Sequence, residues 1–360
     1  MKNRLDYVDV AKGLGMLAII WGHICCKGWS NELVYSFHIP LFFFISGLLY
    51  NNEKYKEFLP FVKARAKRLL LPYVAYSVIT WLIWVGYTFA TNKPVESYWM
   101  PLLQTVIAKG SGGYLVHNVA LWFIPCLFAV EIIYYFIGKF KWSVSFVICC
   151  TIALVSIFLE ARYGRDYLDF WPWNLDSAFM ALPFYCIGNG TNRLKNLYDK
   201  VKNNTWLTAI IVVVLTSILV VMARRYGAIS MGHSIFGNEY IFHIRGLIGC
   251  FSTLFFSMLL CAFVERKGNK KIIRGGVGYL KWFGINSLDV MATNNPLKGV
   301  VCTVIALLMH IKTNDASFVD IPTSLLAFVI TLVIDTLLVW LIVFAREKHW
   351  FLPSKQTDQK

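Results

Sequence analysis

Apolar residues along this chain gather in long runs, divided by short breaks that are polar, basic or built on glycine and proline. Several runs reach the roughly 20 residues that a helix needs to cross a bilayer. Reading runs and breakers in order predicts ten spans, at about 13–26, 33–50, 70–90, 115–137, 142–160, 175–190, 206–223, 241–263, 283–311 and 322–345. The expected fold class is all-α: a polytopic integral membrane protein with about ten transmembrane helices. The first run, Leu14 to Cys26, has no small-residue cleavage site after it and more spans follow, so it reads as a membrane helix rather than a signal peptide. In the ninth run Asn294-Asn295-Pro296 predicts an interruption. An open backbone is expensive in lipid, so this predicts a broken or partly re-entrant helix beside a site. Between the second and third runs, Glu53 to Arg68 mixes Phe58, Phe61 and Val62 with six basic residues, which suits a helix lying in the membrane interface.

Charge then orients the chain. Only 15% of its 360 residues are charged and 57% are hydrophobic, well outside the balance of a soluble domain. A net charge of +15 invites a nucleic-acid reading, but the basic residues lie in short loops between apolar runs. With the N-terminus inside, the inner segments hold 25 of the 35 Lys and Arg. That bias predicts cytoplasmic termini and an even number of spans, with lipid and not nucleic acid as the partner. Residues 1–350 are expected to form one transmembrane domain and residues 351–360 a short cytoplasmic tail. The nine cysteines fall mostly inside spans and show no CxxC spacing, which argues for small buried hydrophobes over disulfides or a metal site.

Candidate chemistry begins on the first helix. Lys12 and His23 are eleven residues apart, which returns them to nearly one helical face and separates them by roughly 16 Å along the axis. With Lys12 at the inner rim, His23 lies near or beyond mid-membrane. A rim cation can hold the phosphates of an acyl carrier such as coenzyme A, whose long arm reaches inward to a histidine suited to general-base work. The plainer reading is a snorkelling lysine and a histidine bonded to a neighbouring helix.

Here the sequence resembles a known family. Lys12-x10-His23 with Asp9 before it is similar to the R/K-x10-H motif of the acyltransferase-3 family. Phe37-His38-Ile39-Pro40-Leu41-Phe42-Phe43-Phe44-Ile45-Ser46-Gly47 resembles that family's second-span signature, and Arg65-Ala66-Lys67-Arg68 its RxxR element. Leu70-Leu71-Pro72-Tyr73, Leu121-Trp122-Phe123 and Gly284-Ile285-Asn286-Ser287-Leu288 match later elements in the right order. Lysine in the first-helix motif and the lack of an added C-terminal domain look closest to the fucose 4-O-acetylase-like branch. The resemblance implies ten membrane helices and a cytoplasmic acyl-CoA donor, usually acetyl-CoA, with no metal. It implies an acceptor hydroxyl on a cell-surface glycan or its lipid-linked precursor, in a cell membrane, as of a bacterium. It gives His23 the critical role, and donor-side roles to Lys12, Arg65 and Arg68. One departure stands out: Asp289 to Asn295 carries no histidine, where many relatives have one.

Other polar residues are weighed on position. His38 precedes Pro40 at the start of the second span and either orients substrate or caps backbone. Glu131 and Asp335 lie deep in apolar runs, where a carboxylate needs a partner, a proton or water. Glu131 is a candidate to orient His23 or to meet the acceptor, and equally a paired structural carboxylate. Asp9 fits Lys12, three residues on. Arg65 and Arg68 suit phosphate binding, or simply anionic lipid; the basic cluster from Arg266 to Arg274 reads as a topology signal. Asn286, Ser287 and Trp122 are candidate oxyanion or substrate contacts. The loop Arg162 to Trp173 is rich in aromatic residues and carboxylates, as in an interfacial belt or a sugar site. Ser46 reads as a packing residue beside Gly47. The resulting expectation is a membrane O-acyltransferase with His23 as base and Glu131 beside it. Its rivals are a transporter or flippase, or a sensory membrane protein without chemistry.

Overall fold

A computed structural model describes residues 5–164, 171–191, 197–227, 229–266, 271–311 and 317–348. Arg165, Asp166, Tyr167, Asp169 and Phe170 of the aromatic loop lie outside the described residues, as do 267–270 of the basic cluster and the expected tail, 351–360. In chain order the helices are α1 (Asp6–Ile24), α2 (Trp29–Tyr35), α3 (His38–Leu48), α4 (Phe58–Arg68), α5 (Leu70–Ala90), α6 (Met100–Gln104), α7 (Phe123–Ile137) and α8 (Trp142–Tyr163). They continue with α9 (Leu175–Gly190), α10 (Leu197–Asn203), α11 (Thr205–Arg225), α12 (Glu239–Arg266), α13 (Lys271–Ile285), α14 (Ser287–Met309) and α15 (Ile321–Glu347). Among the described residues there is no strand, only the isolated bridges Cys25–Phe318 and Ser230–Ile235.

Among the described residues, seven helical stretches are long and apolar enough to cross a membrane: Phe58–Ala90, Val119–Ile137, Trp142–Tyr163, Thr205–Arg225, Ile241–Arg266, Ser287–Met309 and Ile321–Glu347. The other three expected spans are helical too, but they are short or polar. α3 has 11 residues and α9 has 16, and α1 carries Asp9, Lys12 and His23. Most side chains of these three are buried, so protein and not lipid surrounds them.

The chain divides into two compact units. The first comprises Met1–Val34, Lys200–Val214 and Phe251–Lys360. In it α1 packs on α13, α14 and α15, and α14 packs on α15. The α1–α13 crossing is close because both helices present glycine. A Cβ on Gly13 would stand 2.1 Å from the Leu280 carbonyl oxygen, and one on Gly284 1.8 Å from that of Asp9. The second unit comprises Tyr35–Asp199 and Leu215–Cys250. There α9 packs on α3, α7 and α8, and a like crossing recurs. A Cβ on Gly47 would meet the Tyr185 carbonyl oxygen at 1.9 Å, and one on Gly188 that of Phe44 at 2.0 Å.

Three expected boundaries need correction. The second span is two helices: α2 ends at Tyr35 and α3 starts at His38, because Pro40 lacks an N–H and restricts the residue before it. The fourth begins at Val119 with a short 3-10 turn, and Leu115 to Asn118 are loop. The ninth is not broken at Asn294-Asn295-Pro296, since α14 runs through Pro296. Asn294 Nδ2 donates to the Val290 carbonyl at 2.9 Å, one turn back in the same helix. The break falls earlier, at Asn286, between α13 and α14.

Candidate active site

In the first unit, α1 presents two partly open stripes. Lys12 and His23 form one, about 20° apart around the axis. Leu14, Leu17 and Trp21 form the other, about 140–200° round from Lys12. The imidazole of His23 is therefore half-buried on the side opposite the apolar stripe, where Trp21 meets the ring of Phe328 edge-on at 5.7 Å. The α1 stretch between Lys12 and His23 is unbroken helix, so their separation follows from helical rise alone. Asp9 sits 3.6 Å from the Lys12 ammonium, as the three-residue spacing predicts. Lys281 pairs with Asp6 at 2.7 Å, fixing the same end of α1 to α13.

At the α13–α14 break Asn286 is buried, and its Nδ2 donates to the Trp282 carbonyl at 2.9 Å. That bond closes the turn between the helices, and Ser287 opens α14. Asp289, one turn on, is buried and receives Arg346 of α15 through two bonds of 2.8 and 3.2 Å. The fork-to-carboxylate geometry ties the start of α14 to the end of α15. Asp335, fully buried in α15, accepts from Thr293 Oγ1 at 2.6 Å.

In the second unit, α4 docks on α7. Phe61 stacks on Tyr135 with ring centroids 4.8 Å apart, and the Tyr135 hydroxyl donates to the Lys56 carbonyl at 2.9 Å. This packing brings Arg65 to Glu131, with Nε 3.3 Å from Oε2. The Arg65 guanidinium also lies over the Phe61 ring at 5.3 Å and the Tyr50 ring at 6.0 Å. Both partners are largely withdrawn from solvent, with side-chain exposures of 11% and 5%. Arg68, one turn further, is exposed. The RxxR pair therefore divides its labour: Arg65 is held by a carboxylate and two rings, and Arg68 is open to an external anion.

At the other end of α7, Trp122 is buried against Gly110 and Gly232, where a Cβ would come within 2.9 Å of its Cγ and 2.7 Å of its Nε1. His38 is buried at the start of α3, edge-on to Tyr35 at 4.8 Å. Among the described residues no group of three or more His, Cys, Asp or Glu is placed to hold a metal ion. The nine cysteines are all unpaired thiols, seven of them buried.

Residues 5–344 match the acyltransferase-3 family, described as "Acyltransferase domain". The chain belongs to that family. No curated protein and no solved structure matches it. As a member of the acyltransferase-3 family it is an acyltransferase that transfers groups other than amino-acyl groups, and its apolar helices make it a multi-pass membrane protein.

Gly13, Gly47 and Gly284 lie in stretches that resemble the family's motifs, and each sits at a backbone-to-backbone helix crossing. Asn286 closes the α13–α14 turn. Lys12, His23, Asn286 and Ser287 belong to the first unit, and His38, Arg65, Arg68, Trp122 and Glu131 to the second. Sequence reasoning missed the Asp289–Arg346 tie and His117, a buried histidine in the loop before Trp122. A signal existed for both: an acid at the start of the ninth expected span and a base at the end of the tenth, and an imidazole at the edge of an apolar run.

Proposed function

We propose that this acyltransferase moves an acyl group, most simply acetyl, from cytoplasmic acyl-CoA to a hydroxyl of a cell-surface polysaccharide or its lipid-linked precursor. The observation that carries this reading is the polar stripe of α1: a half-buried cation and a half-buried imidazole on one face, opposite the apolar one. Lys12 of the first unit binds a phosphate of the donor, and in the second unit the exposed Arg68 is a phosphate-binding group in its own right. The carrier arm lies along the Lys12–His23 stripe and delivers its thioester to His23. The imidazole takes the acceptor's hydroxyl proton as that oxygen attacks the thioester carbonyl. The C–S bond then breaks, and the proton passes to the departing thiolate. Glu131 acts as a positioning residue: it neutralises Arg65 and so fixes α4, which carries Arg68. Asn286 and Ser287 shape the α13–α14 turn that packs beside α1, and His38 fixes the start of α3 in its own unit.

The full reading has ten membrane helices, with α1, α3 and α9 as the protein-enclosed ones. Both termini are cytoplasmic, in a bacterial cytoplasmic membrane, and the chain falls in the fucose 4-O-acetylase-like branch. Purified protein in nanodiscs tests it through release of free coenzyme A from acetyl-CoA. Release should rise with a glycan acceptor, and His23→Ala should lower it at least a hundredfold, a typical general-base contribution. Acceptor flux across the membrane without thioester consumption would instead establish a transporter. Mass spectrometry of surface glycans with and without the gene then identifies the acyl group and its acceptor.

A further inference from the structure

α1 carries His23 in its last turn, the part of a helix that frays most readily. The last four carbonyls of a helix have no partner inside it. A base, by contrast, has to keep its place to within a fraction of an ångström through every turnover. The end of α1 therefore needs bonds from outside the helix, and the first unit supplies them from two segments.

The nearer segment is α2. Gly28, at φ +92°, lets the chain reverse after Cys25, and the Glu32 N–H donates to the Gly28 carbonyl at 3.1 Å as α2 winds up. The reversal brings Asn31 back to the end of α1. Its side-chain Nδ2 donates to the Gly22 carbonyl at 3.0 Å and to the Cys25 carbonyl at 2.6 Å. Two carbonyl partners use both hydrogens of the amide. In the chain these carbonyls stand on either side of His23 and Ile24. The farther segment precedes α15. The Phe318 N–H donates to the Ile24 carbonyl at 2.8 Å, and the Phe318 carbonyl accepts from the Cys26 N–H at 3.0 Å. Asp320 caps α15 through the Thr323 N–H at 2.8 Å, so this segment is itself anchored. The Phe318 bonds are backbone to backbone. The Asn31 bonds depend on one half-buried side chain, which a substitution can remove.

We propose that Asn31 is a positioning residue for His23: its amide, bonded to carbonyls on both sides of the histidine, holds the last turn of α1 and so the direction in which the imidazole points. This inference rests on the acyl-transfer reading above, in which His23 is the base. Asn31 touches no reacting atom. A side chain that served stability alone would matter equally to a chain without the histidine, whereas a positioning residue has nothing left to position there.

The test uses the full chain in nanodiscs with acetyl-CoA and a series of methyl glycosides as probes. Asn31→Leu is similar in size and removes both donors. It should lower kcat roughly tenfold to a hundredfold, as a displaced reacting group does, and leave the KM for acetyl-CoA nearly unchanged. In a His23→Ala background the same substitution should cost nothing further. Wild-type kcat in Asn31→Leu, an equal loss with and without His23, or a loss confined to the KM for acetyl-CoA would each overturn the proposal. Should Asn31→Leu fail to fold, Asn31→Gln moves the amide by one methylene and carries the same comparison with a smaller loss. If the wild type shows no His23-dependent release with any glycoside, the acyl-transfer reading fails instead. The ring nitrogen-15 resonances of His23 then decide the positioning. They should shift in Asn31→Leu and stay in place in Ser30→Ala, which trims only a 3.7 Å contact with Cys25 Sγ in the same turn. Coincident His23 resonances in the wild type and Asn31→Leu would overturn it.

Discussion

Removing the Glu131 carboxylate would strand a buried guanidinium. Glu131→Gln is nearly isosteric, so a loss from it reports charge and not shape. Breaking one side of a buried pair typically destabilises by about 3–5 kcal/mol, whereas replacing both partners with apolar residues is often close to neutral. Thermal unfolding in detergent should therefore show a large loss for Glu131→Gln and a much smaller one for the double replacement Arg65→Met with Glu131→Leu. Equal losses would mean that the pair contributes packing alone. His117 gives a pH signature of opposite character. Its folded value of about 4 lies below the ordinary 6.5, so the unfolded chain takes up the proton first as pH falls. Its contribution is complete above pH 6.5 and is lost on the way down to pH 4, on the order of 3 kcal/mol in all. His117→Phe should flatten the decline of Tm over that window; identical slopes would show that the ring titrates elsewhere. At this scale the sequence was legible within a helix and opaque between helices. Lys12, His23 and Asp9 could be related by counting, because helical rise and twist are fixed. The partner of Glu131 could not, because Arg65 reaches it only through the packing of Phe61 on Tyr135.

Helix crossings explain why the short motifs matter. At Gly13 a methyl group would press on the Leu280 carbonyl of a neighbouring backbone, which cannot rotate aside as a side chain can. Gly13→Ala should cost about 1–3 kcal/mol through overpacking and should lower acyl transfer by shifting α1. Gly275, in the exposed first turns of α13, has nothing within 4 Å of an added Cβ. Gly275→Ala should be neutral or stabilise by about 0.5–1 kcal/mol, because alanine loses less freedom on entering a helix. Melting curves of the two variants side by side check the contrast. Element boundaries were the least legible level. Proline reads locally as a breaker, and at Pro40 it does mark a helix start. At Pro296 the helix continues through the proline, because neighbouring helices can hold a proline-bearing membrane helix together, and that packing is not written in the local pattern.

For the whole molecule, the all-helical membrane class followed from run length and composition, because the bilayer imposes so few alternatives. The number of spans was less secure: α3 and α9 are too short, and α1 too polar, to qualify on their own. Orientation rests on the distribution of basic residues, and a fusion experiment checks it. Green fluorescent protein attached to the C-terminus should fluoresce, and alkaline phosphatase attached there should stay inactive. The reverse result would invert the donor and acceptor sides. One consequence of the glycine-pinned first helix reaches further. Because α1 is continuous and held against α13 at Gly13, the mechanism proposed above would make it a fixed gauge, with the ammonium at one mark and the imidazole at the other. Such a gauge would measure the length of the thioester's carrier and would be indifferent to the size of the acyl cargo. A truncated thioester, such as acetyl-cysteamine, would span only part of the scale and would reach the imidazole by giving up its hold on the cation.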